Sequence, residues 1–178
     1  DLFKYPGIRS DSDMHTFSYY FKPWKYHKSI ADAGTIMEYL NETVDEYELR
    51  EKIYFQHIIS EASWSDETHT WRISGRNEAK GEEVSFSSYF LMICTGYYDY
   101  EKGYTPEFKG IEQFKGEFIH PQKWPSDLVY ENKEVVVIGS GATAITLIPA
   151  MADKTKHITM LQRSPSYILS RPMYDRFA

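Results

Sequence analysis

Val135-Val136-Val137-Ile138 runs directly into Gly139-Ser140-Gly141-Ala142-Thr143-Ala144. A short run of β-branched residues is the mark of a strand buried in a parallel sheet. The pattern after it, G-x-G-x-x-A, turns a chain sharply from strand into helix. The residues up to Ala152 are apolar enough for a packed helix, and Ile158 to Leu161 reads as a second strand. Together they predict a β-turn-α-β unit and an α/β fold. Pro149 falls inside the helical stretch and either kinks or ends it.

Each small residue in the turn has a physical use. Gly139 permits the tight turn, Gly141 lets a pyrophosphate approach the backbone, and Ala144 allows close helix–strand packing. The helix N-terminus offers free N–H groups and the positive end of a dipole. The stretch predicted to cradle the phosphates is Gly139, Ser140, Gly141, Ala142, Thr143, Ala144 and Ile145. At the end of the second strand, sites for NAD or FAD usually carry Asp or Glu. Here Arg163 stands 24 positions after Gly139, followed by Ser164. A guanidinium pairs with a 2′-phosphate that a carboxylate would repel, so the expected dinucleotide is NADPH. The plain alternatives are a glycine turn without a ligand and a solvated arginine.

Elsewhere the chain is less explicit. Thr35 with Glu38 reads as a capping box for a helix to Tyr47, with Ile36, Met37, Leu40, Val44 and Tyr47 on one face. Strands are predicted over 53–64, 69–75 and 82–95, the last ending in Phe90-Leu91-Met92-Ile93-Cys94, where Cys94 reads as buried packing. Residues 97–132 have no clear period and read as a linker. A net charge of −6 argues against a general nucleic-acid partner. No apolar run approaches the ~20 residues of a membrane helix, and no signal peptide is visible. One cysteine excludes an internal disulfide and suits a reducing, cytoplasmic setting. The 15 Tyr, 10 Phe and 4 Trp supply core, and leave open an aromatic surface that docks on a membrane periphery. The six histidines show no metal-ligand spacing, so no metal is expected.

One further stretch, Phe114-Lys115-Gly116-Glu117-Phe118-Ile119-His120-Pro121-Gln122-Lys123-Trp124-Pro125, fits F-x-G-x-x-x-H-x-x-x-W-P. That pattern resembles the fingerprint of the Baeyer–Villiger monooxygenases, through Phe114, Gly116, His120, Trp124 and Pro125. The opening Tyr5-Pro6-Gly7-Ile8-Arg9-Ser10-Asp11 resembles the family's Y-P-G-x-R-x-D loop. Cys94-Thr95-Gly96-Tyr97-Tyr98-Asp99 is similar to the segment that closes the first part of its FAD domain.

The resemblance implies a Rossmann-like three-layer fold with two dinucleotide-binding units, both incomplete here. Residues 1–100 would belong to the FAD-binding domain, 101–132 to a linker with the fingerprint, and 133–178 to the first half of the NADPH-binding domain. It implies FAD and NADPH as cofactors. It also implies a monooxygenase that places one oxygen from O₂ into a ketone or onto a sulfide. Asp11 would orient a catalytic arginine, with Arg9, Ser10 and Asp11 near the nicotinamide and Ile59 lending backbone to the FAD adenine. The family's first glycine motif is expected before Asp1 and its active-site arginine after Ala178. The chain therefore reads as a middle piece whose partner is the rest of its own chain. Alternatives that stay open are an N- or S-oxygenating flavin-containing monooxygenase and an inactive NADPH-binding module.

Overall fold

The computed structural model describes residues 3–170 and 172–174. Asp1, Leu2, Arg171 and residues 175–178, at the outer ends of the first and third expected segments, lie outside the described residues. The elements in chain order are α1 (Met14–Phe17), α2 (Ala33–Glu46), β1 (His57–Ser65), β2 (Thr70–Asn77), β3 (Glu82–Ser88), β4 (Glu134–Ile138), α3 (Ala142–Ala152) and β5 (His157–Leu161). Single turns of 3-10 helix occur at Arg50–Lys52, Ile111–Gln113 and Pro121–Lys123. The chain forms two compact units, Asp1–Thr43 with Tyr98–Ala178, and Val44–Tyr97. Among the described residues no helix is long and apolar enough to cross a membrane.

In the first unit β4 and β5 pair in parallel, from Glu134 opposite His157 to Ile138 opposite Leu161. Helix α3 connects them, giving the expected β-α-β unit, and runs on through Pro149. Ala144, Leu147 and Met151 recur at helical spacing and are all buried. Val135, Val137 and Ile158 pack against Leu147 and Met151. The apolar run of β4 is thus not buried throughout. Val136 and Ile138 remain exposed, because α3 covers one face of the pair and no other described element covers the second.

A second cluster in this unit joins Met14, Trp24, Ala31 and Tyr39. Its polar edges are satisfied internally. The Trp24 indole donates to the Lys28 carbonyl at 2.8 Å, and the Tyr39 hydroxyl donates to the Lys22 carbonyl at 2.6 Å. Helix α2 starts two residues before the expected cap. Asp32 rather than Thr35 caps it, because its Oδ1 accepts both the Thr35 N–H at 3.0 Å and the Thr35 hydroxyl at 3.1 Å. A carboxylate held one residue before the first turn satisfies an otherwise free N–H and faces the positive dipole end.

The second unit is an antiparallel meander, β1-β2-β3. Its register places Trp64, Trp71, Ile73, Val84 and Phe86 on one face. A bulge lies between Ile59 and Glu61, opposite Gly75. A side chain at Gly75 would run into the Ile58 carbonyl, so the bulged strand needs this glycine. β1 begins at His57 rather than at 53, after Gln56 takes a left-handed conformation of φ 58°. β3 ends at Ser88, short of the expected strand end. Phe90, Met92 and Ile93 are exposed, and so is Cys94, which was expected to be buried. That run lies in no strand among the described residues, and of its side chains Leu91 alone is half-buried, beside Trp64 and Trp71.

The Thr35 N–H, with smaller help from Lys28 and the Thr35 hydroxyl, holds the Asp32 carboxyl below its ordinary pKa. Asp32 therefore stabilises fully above the ordinary carboxylate value of about 3.9, and that stabilisation fades as pH falls through the lower folded value. Asp32→Ala is expected to cost about 1 kcal/mol near neutral pH, read by urea unfolding, and the gap to wild type should close at ~pH 2.

Candidate dinucleotide site

The turn after β4 is built by hydrogen bonding and backbone freedom together. The Gly139 N–H donates to the Leu161 carbonyl at 2.8 Å, which draws the ends of β4 and β5 side by side. Gly139 has φ 131°, a conformation that other residues rarely adopt. Gly141 then caps α3 from an extended conformation. A Cβ built on either Gly139 or Gly141 would meet nothing within 4 Å. The space above the α3 N-terminus is therefore open on the side where both glycines face. Ala142 is exposed there, Ser140, Thr143 and Ile145 are half-buried, and Ala144 is buried against the strands. An open concavity of backbone N–H groups at a helix start, on the carboxyl edge of a parallel pair, fits a pyrophosphate.

Arg163 and Ser164 follow β5 after Gln162 and are exposed. The parallel register sets Leu161 opposite Ile138, so Arg163 emerges at the same edge as the glycine loop. The two loops are also tied chemically. The hydroxyls of Ser140 and Ser166 share a hydrogen bond of 2.9 Å. Sequence reasoning had no signal for Ser166, since a serine in Ser164-Pro165-Ser166 looks like any loop serine.

The N-terminal loop docks on the far part of the same helix. Tyr5 is buried with Leu147 and Met151, and its hydroxyl accepts from Thr146 Oγ1 at 3.3 Å. Gly7 has φ 79°, and a side chain on it would collide with the Thr146 carbonyl and the Ala150 methyl. Arg9 and Ser10 continue alongside the start of α2. The Ser10 N–H donates to the Ala31 carbonyl at 2.8 Å, and the Ser10 hydroxyl accepts from the Ala31 N–H at 3.1 Å. Ser10 Oγ is thus already engaged with backbone. Arg9 and Asp11 are exposed, and Asp11 accepts from the Ser12 hydroxyl at 3.3 Å.

The F-x-G-x-x-x-H-x-x-x-W-P stretch is divided by the structure. Trp124 packs on the Tyr5, Leu147 and Met151 cluster and meets Tyr130 edge-on at 6.1 Å. Pro125 is half-buried beside it. His120 caps the turn Pro121–Lys123, its Nδ1 accepting from the Gln122 N–H at 3.2 Å. That bond requires the neutral ring with its proton on Nε2. Gly103 has no room for a side chain because the His120 ring lies against it. Phe114 folds its ring over Gly116, and both are exposed in their own loop, apart from the helix α3 cluster. Ile59 lies in the second unit, exposed beside the bulge.

A family model described as flavin-binding monooxygenase-like matches residues 2–177. The chain is 52% identical to the FAD-containing monooxygenase EthA of Mycolicibacterium smegmatis, over 100% of this chain and 36% of that protein. It is 50% identical to the putative FAD-containing monooxygenase MymA of Mycobacterium tuberculosis, over 100% of this chain and 37% of that protein. The chain thus spans little more than a third of the length of these relatives. Among solved structures it resembles an oxidised steroid monooxygenase bound to NADP, with TM-score 0.74 and 31% identity, over 93% of this chain and 31% of that one.

The two loop glycines should separate by substitution. Gly141→Ala adds a methyl group without backbone strain, so stability should fall by no more than the ~1 kcal/mol of a poorer N-cap while NADP⁺ binding, read by calorimetry, falls about tenfold or more. Gly139→Ala should lower both, since its backbone conformation is itself strained for alanine, at roughly 1 kcal/mol or above.

Proposed function

Because the chain belongs to the flavin-binding monooxygenase-like family, we propose that it forms the NADPH-handling part of an FAD-dependent monooxygenase. The substrate class we propose is a ketone, attacked in Baeyer–Villiger fashion, or a sulfide. The observation that carries the reading is the open cradle at Gly139 and Gly141 with Arg163 at the same sheet edge. In this reading residues 1–100 contribute to the FAD domain, 101–132 to the linker and 133–178 to the NADPH domain.

The residues divide the work as follows. Backbone N–H groups at 141–144 and the α3 dipole hold the pyrophosphate, with Ser140 adding a hydroxyl. Arg163 and Ser164 hold the 2′-phosphate, where a guanidinium fork gives selectivity over NADH. Arg9, Ser10 and Asp11 face the nicotinamide end of the dinucleotide. Asp11 orients an arginine supplied by the remainder of the protein, and Ile59 contacts the adenine of FAD. When bound, FAD supplies the oxygen chemistry and NADPH the hydride. The chain's own task is to place the hydride donor and keep water out. His120 and Trp124 act in positioning, since the Nδ1 of His120 is occupied by a backbone N–H and Trp124 is packed against a core.

Two measurements on the full chain encoded by the gene test this reading. Arg163→Ala should raise the NADPH KM ten- to a hundredfold and leave the NADH KM nearly unchanged, as expected for losing a charged hydrogen-bonded pair. Equal changes would remove the phosphate assignment. Separately, bound flavin should bleach under anaerobic NADPH much faster than under NADH and recover in air. A flavin indifferent to NADPH would overturn the enzymatic reading.

A further inference from the structure

Gln122 occupies an unspecified position of the F-x-G-x-x-x-H-x-x-x-W-P pattern, yet it is among the most buried polar residues described, at 2% exposed. A buried amide is retained at a cost unless its hydrogen bonds do something specific. The side chain and main chain of Gln122 together join three separate stretches of chain. The side-chain Nε2 donates to the Asp99 carbonyl at 2.5 Å. The Gln122 carbonyl accepts from the Phe3 N–H at 3.1 Å. The Gln122 N–H donates to His120 Nδ1 at 3.2 Å. Two residues further on, Trp124 enters the cluster around Leu147 and Met151, and Phe3, Tyr5 and Ile8 enter the same cluster from the N-terminal side.

The consequence is a closed circuit. Helix α3 begins at the phosphate cradle, and its buried face carries both Trp124 and the stretch leading to Arg9, Ser10 and Asp11. The Gln122 main-chain carbonyl bonds those two stretches to each other away from the helix, and its side-chain amide adds the Asp99 carbonyl, whose neighbour Tyr98 packs on the Phe3 ring at 5.2 Å. We infer that Gln122 is a positioning residue: it fixes the Arg9–Asp11 loop relative to the phosphate cradle, so that NADPH held at Gly139–Ile145 meets that loop already in place. The inference rests on the NADPH reading above and adds to it a residue that touches neither cofactor. His120 serves within the same latch, as the acceptor that holds the Gln122 main chain, and Gly103 leaves its ring the space. Removing the side-chain amide leaves the Asp99 carbonyl without its donor and loosens the branch of the circuit that reaches Phe3 through Tyr98, while the main-chain bond from Phe3 to Gln122 remains. Small displacements of a positioned reactant are expensive in rate.

The test begins with hydrogen exchange on the wild-type full chain, with and without NADP⁺. NADP⁺ should slow exchange at residues 139–146, and also at 3–8 and 120–124, which touch no part of the dinucleotide in the reading above and are reached through the latch. Protection at 139–146 alone overturns the latch and leaves the NADPH reading standing. No protection at 139–146 overturns the NADPH reading, and the latch with it. The second arm is Gln122→Leu, which keeps the volume and removes the amide. Its NADPH KM should rise roughly tenfold, and more hydrogen peroxide should be released per NADPH oxidised, because a loosened loop lets reducing equivalents reach O₂ without substrate. NADP⁺ should then protect 139–146 but no longer 3–8. A variant that is less heat-stable but unchanged in KM and peroxide release would overturn the proposal. If Gln122→Leu does not fold, the wild-type exchange pattern decides alone.

Discussion

The first unit depends on the burial of Leu147 and Met151 on one face of α3. Burying side chains of this size contributes about 1.5–3 kcal/mol each. What matters more is how many separate stretches meet there. Val135, Val137 and Ile158 arrive from the sheet, Phe3, Tyr5 and Ile8 from the N-terminal loop, and Trp124 and Tyr130 from the segment before β4. A helix whose N-terminus is proposed to meet the dinucleotide phosphates is thereby held by packing on its flank rather than by contacts at that end. The cradle can stay open without leaving the helix loose.

The electrostatics of the cradle run against the chain as a whole. The net charge is −6, which would repel a dinucleotide carrying several phosphates. Locally the sign is reversed. Gly139 to Ala152 contains no charged residue, so no carboxylate competes for the free N–H groups of α3. From Leu161 to Ser170 the one charged residue is Arg163. At distances beyond about 10 Å salt screens the distant carboxylates, whereas the helix terminus and the guanidinium act at contact. Acidic composition and phosphate binding are therefore compatible.

Legibility in the sequence followed the range of the interaction. The β4-α3-β5 unit was readable because its signals are local: β-branched residues, a glycine pattern and a helical apolar face lie in consecutive positions. The start of α2 was misplaced for a local reason as well. Thr35 and Asp32 both suit a cap, and the geometry gives the acceptor role to Asp32, with Thr35 as its donor. The exposed end at Phe90–Cys94 misled because an apolar run signals the capacity to be covered, not the cover itself. Gln122, Thr146 and Gly103 were invisible, since each matters through a residue at least 17 positions away. Single-sequence patterns report period and propensity, and neither encodes a tertiary hydrogen bond.

The glycines show how function and architecture can be told apart physically. At Gly7 and Gly103 a side chain would strike neighbouring protein atoms, so these glycines exist for the close approach of one segment to another. At Gly139 and Gly141 a side chain would strike nothing. Backbone conformation explains Gly139, with its φ of 131°. It does not explain Gly141, whose extended conformation any residue adopts. Folding alone places no demand for glycine there. A serine, aspartate or asparagine at that position would cap α3 better, by hydrogen bonding its first turn. The missing cap is the cost of leaving those N–H groups free, and in the proposed reading the donors of this uncapped start beside open space are kept for the dinucleotide phosphates.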